Sequence, residues 1–168
     1  PSLSMPDISK ITEEFITNGL KQANENILNI KQPEIKISPD NSKKAIELYL
    51  TETQKILKNN LDDKPLFPIL EEINKNNGQG IEKLLAIISA HEAAASQVEE
   101  KTAPAILKDL ITEEVRLLRI TANVLRALTN IENDPLGTIA AIKQFETLLE
   151  NWVNLQNKMN EFIKKFNQ

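Results

Sequence analysis

Cysteine is absent from this chain of 168 residues, and glycine, histidine and aromatic residues are scarce. Without a thiol the chain cannot form a disulfide, a thiolate metal site, an iron–sulfur cluster or a cysteine nucleophile. There are only 4 glycines, and aromatic side chains make up 4% of the residues. Strand-rich and loop-rich folds usually contain more of both. The composition therefore favours an all-α fold.

An excess of positive charge and long apolar runs are also missing. The formal net charge is −4 at pH 7, so the chain as a whole repels nucleic acid. The longest uninterrupted apolar run, 84–88, is far shorter than the roughly 18 residues that a membrane span needs. A dinuclear metal site of the ferritin type needs two Glu-x-x-His pairs, and the chain has a single histidine. We therefore expect no nucleic acid, membrane span, metal or other cofactor.

The first residues leave the cellular compartment open. Pro1 is not a translation start, so the chain has either lost a leader or gained a short extension. Met5-Pro6-Asp7 resembles an ordinary bacterial start, which makes residues 1–5 a cloning remnant or an N-terminal tail. If Met5 is the native start, the lack of a basic and apolar leader favours the cytoplasm. Otherwise the protein is exported and its leader has been removed.

Proline and cap residues divide the chain into helical segments. The stretch 32–38 is predicted to be an extended connector, because Pro33 disfavours helix in the residue before it. Ser38-Pro39 has the sequence of an N-cap and a first-turn proline, and Pro104 and Pro135 each end a preceding helix. The predicted helices cover residues 6–31, 39–60, 68–77, 80–101, 104–133 and 135 to nearly the C-terminus.

The lengths of these helices predict the architecture. The last two are about 30 residues each, or about 45 Å long at 1.5 Å per residue. Short connections between long helices favour antiparallel neighbours, and no repeat or change of composition divides the chain. Residues 1–168 are therefore predicted to form one domain, a single elongated antiparallel bundle of five to six helices.

Three polar residues interrupt the coiled-coil-like apolar seams of the last three helices: His91, Glu114 and Gln156. Hairpins at Thr102 and Pro135 would bring them into one buried layer. Such a layer can fix helix register, as single polar seam residues do in coiled coils. Alternatively, a desolvated Glu114 acts as acid or base with His91 as its partner. We favour the structural interpretation, because no nucleophile, metal set or glycine-rich loop accompanies the layer.

The arginines form a stripe on the fifth predicted helix. Arg116, Arg119 and Arg126 are the only arginines of the chain, and they share a face with Asn123. Guanidinium groups bind carboxylates and phosphates in a forked geometry, so the stripe is a candidate surface for an acidic partner. The alternative, which we favour, is that these arginines pair with acidic residues of a neighbouring helix.

The sequence predicts a non-enzymatic protein, because no catalytic motif is present. We expect it to bind a protein partner, or a second copy of itself in a dimer, through an amphipathic helix face. A first alternative is a ligand-binding or sensor bundle with an internal cavity near His91, Ala94 and Glu114. A second, less favoured alternative is an enzyme that uses His91 and Glu114.

Overall fold

The computed structural model describes residues 7–61 and 80–166. Helices hold 81% of these residues and pack against each other, which confirms the helical fold class. The helices are α1 (Ile8–Leu28), α2 (Lys43–Leu61), α3 (Ile81–Glu99), α4 (Lys108–Leu128) and α5 (Pro135–Phe166). The predicted helix over 68–77 lies outside the described residues.

Residues 32–35 of the connector lie in neither a helix nor a strand, and the rest of the connector forms part of a small sheet. Its last residues form β1 (Lys36–Ser38), which pairs in parallel with β2 (Thr102–Pro104). A 3-10 turn (Ala105–Leu107) continues the chain from β2 into α4. This pairing was not predicted from the sequence, because strands of three residues are too short to show an alternating pattern.

The start of α2 differs from the prediction. The helix begins at Lys43, one turn after the predicted cap at Ser38, because Ser38 belongs to β1. Ser42 takes the capping role instead, since its Oγ accepts a hydrogen bond from the backbone N–H of Ala45 at 3.3 Å. Ser42 is held in turn by its own N–H, which donates to Oδ1 of Asp40 at 2.9 Å.

Helix α4 is the central helix of the bundle. It packs against α3, α5 and α1, so apolar residues are buried on more than one side of it. They are Ile111, Val115, Leu117, Leu118, Ile120, Ala122, Val124 and Leu125. The helix has 21 residues rather than about 30, because it starts after the 3-10 turn and is followed by turns at 129–133. Helix α5 has 32 residues.

Helix α5 presents small residues to the core. Its buried positions are Gly137, Thr138, Ala140, Ala141, Leu148 and Leu155. The small residues among them, Gly137, Ala140 and Ala141, let α1 come close. On the α1 side, a Cβ atom on Gly19 would meet the side chain of Leu136. Farther along both helices, Nε2 of Gln144 donates a hydrogen bond to Oδ1 of Asn24. The two contacts advance in the same direction along α1 and α5, which are not consecutive in the chain.

Candidate functional site

The structure does not bring His91, Glu114 and Gln156 together. Glu92 pairs with Arg126, whose Nη2 lies 2.5 Å from its Oε1. Arg126 follows Glu114 by 12 residues in the sequence, or about 18 Å along the α4 axis. His91 precedes Glu92 and therefore lies far from Glu114. Gln156 is exposed on α5.

The physical reason is the connection between α3 and α4. A tight hairpin at Thr102 would place His91 beside Glu114, but residues 102–107 form β2 and the 3-10 turn instead. This longer path offsets α3 along α4. His91 is half-buried, and its Nδ1 lies 2.9 Å from the carbonyl oxygen of Ile87 in its own helix.

Glu114 is buried without its predicted neighbours. Only 8% of the residue is exposed, and burial raises the pKa of its carboxyl to about 7. Its ionisable neighbour is Tyr49 of α2, whose pKa is raised first by burial and then by the charge of Glu114. Among the described residues the Tyr49 hydroxyl has no hydrogen-bond partner. Two ionisable groups therefore share one part of a largely apolar core.

Tyr49 was not among the residues singled out from the sequence. The available signal was the spacing of Ile46, Tyr49 and Thr53, which places three residues at helical intervals on one face of α2, and all three are buried. Docking of α2 onto α4 then determines that the phenol lies near Glu114. That docking depends on contacts between distant parts of the chain.

Acid or base chemistry at Glu114 would need a path for a substrate. Four grooves are lined by described residues, and none of these four includes His91, Ala94 or Glu114. The largest has a volume of about 420 Å³ and lies where the end of α1 meets α4 and the turn before α5. Its lining is rich in asparagine, with Asn26, Asn29, Asn123 and Asn130.

Arg119, the middle residue of the arginine stripe, binds other residues of the same chain. Its Nη2 lies 2.5 Å from Oε2 of Glu99, and each side chain is 13% exposed. Its Nη1 donates to the carbonyl oxygen of Lys31 at 2.8 Å. Burial raises the pKa of Glu99, but the hydrogen bonds from Arg119 and from the backbone N–H of Glu34 outweigh burial, and the pKa is lowered. Arg119 therefore connects three segments of the chain.

The other members of the stripe also pair within the chain. Arg126 binds Glu92 and donates to Oδ1 of Asn123 at 2.9 Å, and Nδ2 of Asn123 donates to the carbonyl oxygen of Ile27 at 3.0 Å. Nε and Nη2 of Arg116 donate hydrogen bonds to the two carboxylate oxygens of Glu113 in the same helix, at 2.7 and 2.8 Å. Pairing with acidic residues is thus found for all three arginines. Binding of an external acidic partner stays a prediction, and only Arg116 and Arg126 are exposed enough for it.

The outer face of α5, which we define as residues 139, 142, 146, 149 and 153, is apolar except for Glu146. Its four apolar members, Ile139, Ile142, Leu149 and Val153, are 42% to 57% exposed. They recur at intervals of three, four or seven residues, so they form one row on the helix. Lys143 and Glu150 are exposed along one edge of this row. Large contiguous patches of exposed apolar side chains are common at interaction surfaces.

No family model, curated protein or solved structure matches this chain. Within residues 7–61 and 80–166, no helix is long and apolar enough to cross a membrane. The same residues contain no group of three or more His, Asp or Glu side chains that could hold a metal ion. The function of this protein is therefore inferred from the residues of the chain itself.

Proposed function

We propose that this chain is a non-enzymatic helical-bundle protein that binds a protein partner, either another protein or a second copy of itself, through the outer face of α5. The observation that carries the proposal is the row of four large aliphatic side chains exposed on a helix whose opposite side forms the core. Single exposed apolar residues are ordinary on protein surfaces. A row of four at heptad spacing is the pattern with which one helix packs against another.

Energetics support this assignment. Removing a large aliphatic side chain from water stabilises a complex by about 1.5 to 3 kcal/mol when burial is complete. The members of the row are about half exposed, so each still has a substantial part of this energy to gain. The Arg116–Arg126 stripe offers less, because its charges are already paired.

The bundle geometry that we propose keeps this face on the outside. We infer one domain in which α3, α4 and α5 run antiparallel to their sequence neighbours. Arg119 of α4 pairs with Glu99 of α3, and Arg126, farther along α4, pairs with Glu92, which lies earlier in α3. Between α5 and α4, the hydroxyl of Thr138 donates a hydrogen bond to the carbonyl oxygen of Ala127. Farther along α5, Nε1 of Trp152 donates to Oγ1 of Thr121, which lies earlier in α4, at 3.2 Å. These contacts support the arrangement.

The alternatives have less support. A ligand cavity at His91, Ala94 and Glu114 would need these residues to meet, and His91 lies about three turns of α4 from Glu114. An enzyme that uses His91 and Glu114 has the same requirement. The raised pKa of Glu114 is compatible with a purely structural role, because burial alone produces it.

Photo-crosslinking tests the proposal. A benzophenone amino acid is introduced at Ile142, which is 57% exposed, and at Leu48 of α2, which is 58% exposed. After illumination in cells of the native host, we expect covalent adducts from position 142 and none from position 48. The adduct contains either a second copy or another protein. Equal yields at both positions, or no adduct at 142, would contradict a docking role for the outer face of α5.

A further inference from the structure

The outer face of α5 has a pattern that is symmetric to within one residue. Counted from Glu146, the apolar residues stand at −7 (Ile139), −4 (Ile142), +3 (Leu149) and +7 (Val153). An interface between two identical surfaces related by a two-fold axis must be complementary to itself. If two such helices run antiparallel with the axis beside Glu146, Ile139 faces Val153 of the second copy and Ile142 faces its Leu149. Every apolar member of the row then meets an apolar partner.

Charges along one edge of the row favour the same arrangement. Lys143 and Glu150 are exposed and seven residues apart on this edge, and neither has an ion-pair partner among the described residues. In antiparallel helix pairs, equivalent edges of the two helices lie side by side. Lys143 of each copy would therefore meet Glu150 of the other, which gives two ion pairs by symmetry. Such complementarity steers association and fixes register.

A parallel pairing does not have this complementarity. It would set the edge with Lys143 and Glu150 against the opposite edge of the second helix. That opposite edge carries Phe145 and Trp152, which are half-buried against the core. No opposite charge stands there to receive Lys143. The charge pattern thus distinguishes antiparallel from parallel association.

We infer that the partner of the outer face of α5 is a second copy of this chain, bound antiparallel about a two-fold axis at Glu146. This inference rests on the proposed function and names its partner. Residues 135–157 of the two helices overlap in this register, a contact about 34 Å long. The two Glu146 carboxylates face each other at the axis and oppose association.

Charge exchange is the first test. Sedimentation equilibrium of the full chain measures the dimer dissociation constant for the unchanged protein, Lys143→Glu, Glu150→Lys and the double exchange. Each single variant places like charges at both contacts and is expected to weaken the dimer by about tenfold. The double exchange restores opposite charges and is expected to return the constant to within about threefold of the original. Glu146→Gln removes the repulsion and tightens the dimer.

Disulfide trapping tests the orientation, because the chain has no cysteine of its own. A cysteine at position 146 lies at the axis and is expected to crosslink to itself. Cysteine at 139 is expected to crosslink with cysteine at 153 in a mixture of the two variants, but not with itself. Cysteine at Leu48, of matched exposure, is the control and stays uncrosslinked. All of these positions are exposed, and circular dichroism checks that each variant is folded.

The outcomes separate this inference from the proposed function. A chain that stays monomeric at high micromolar concentration, while position 142 still photo-crosslinks to a different protein, overturns the second copy and leaves the proposed function standing. Self-crosslinking at 139 that exceeds that at 146 overturns the antiparallel register. A monomer without any adduct from 142 overturns both the inference and the proposed function.

Discussion

Arg119 of α4 and Glu99 at the end of α3 form an ion pair that is almost enclosed, with 13% of each side chain exposed. Glu99 also accepts a hydrogen bond from the backbone N–H of Glu34 at 2.6 Å. Arg119 reaches the carbonyl oxygen of Lys31. The pair thus connects the segment before β1 to both helices.

Replacing Arg119 by alanine is expected to lower the free energy of unfolding by about 2 to 4 kcal/mol. The substitution leaves the Glu99 carboxylate, which is 13% exposed, without its guanidinium donor, and the Lys31 carbonyl loses a hydrogen bond. Urea unfolding followed by circular dichroism measures the change. Arg116→Ala is the matched control, because its pair with Glu113 is about one third exposed and lies within one helix. We expect a loss below about 1 kcal/mol there. Equal losses in the two variants would show that burial of the Arg119 pair is unimportant.

Much of the helical fold was predictable because its signals are local. Pro33, Pro104 and Pro135 mark breaks between helices, and the structure has a break at each. The register between helices was not predictable in this way. It depends on pairing between Ile37 and Ala103, which lie far apart in the sequence. That pairing turns an expected hairpin at Thr102 into a longer connection.

The rotation of α5 cannot be predicted from the size of its apolar residues alone. Ile142 and Leu149 are large and apolar, but both are exposed. The core takes Ala140 and Ala141 instead, because close approach of α1 and α4 requires small side chains. Hydrophobic size alone does not reveal which face has close neighbours.

The candidate buried site was predictable in part. Glu114 stands out as the charged residue in an apolar seam, and it is buried. Its neighbour Tyr49 comes from α2, whose position depends on the whole bundle. A partner on a distant helix has no local signature in the sequence.

Glu114 is expected to make the protein less stable as the pH rises from about 4.5 to 7. In the unfolded chain the carboxyl ionises near its ordinary pKa of 4.5, whereas burial raises the pKa in the folded protein to about 7. Above pH 4.5 the unfolded state therefore loses a proton that the folded state keeps, and this lowers the free energy of unfolding. The effect reaches about 3 kcal/mol near pH 7 and is constant above it.

Urea unfolding of Glu114→Gln at several pH values measures this contribution. The difference in unfolding free energy, variant minus unchanged protein, is expected to increase by about 3 kcal/mol between pH 4.5 and 8. Other carboxyls, such as Glu99 and Glu113 with lowered pKa values, titrate in both proteins and cancel in the difference. Glu25→Gln, at an exposed position of α1, controls for loss of one negative charge. A difference that does not change with pH would contradict the raised pKa.

Replacing Tyr49 by phenylalanine is expected to stabilise the protein by about 1 kcal/mol. The residue is 4% exposed, and its hydroxyl has no hydrogen-bond partner among the described residues. A buried hydroxyl without a partner costs about 1 to 3 kcal/mol, and phenylalanine keeps the ring that packs among Ile46 and Val98. Thermal and urea unfolding measure the gain, and the double variant with Glu114→Gln measures the coupling between the two groups. Destabilisation by more than about 1 kcal/mol would mean that the hydroxyl has a partner. The coupling then identifies whether that partner is Glu114, because a hydrogen bond between the two groups makes the effects of the two substitutions non-additive.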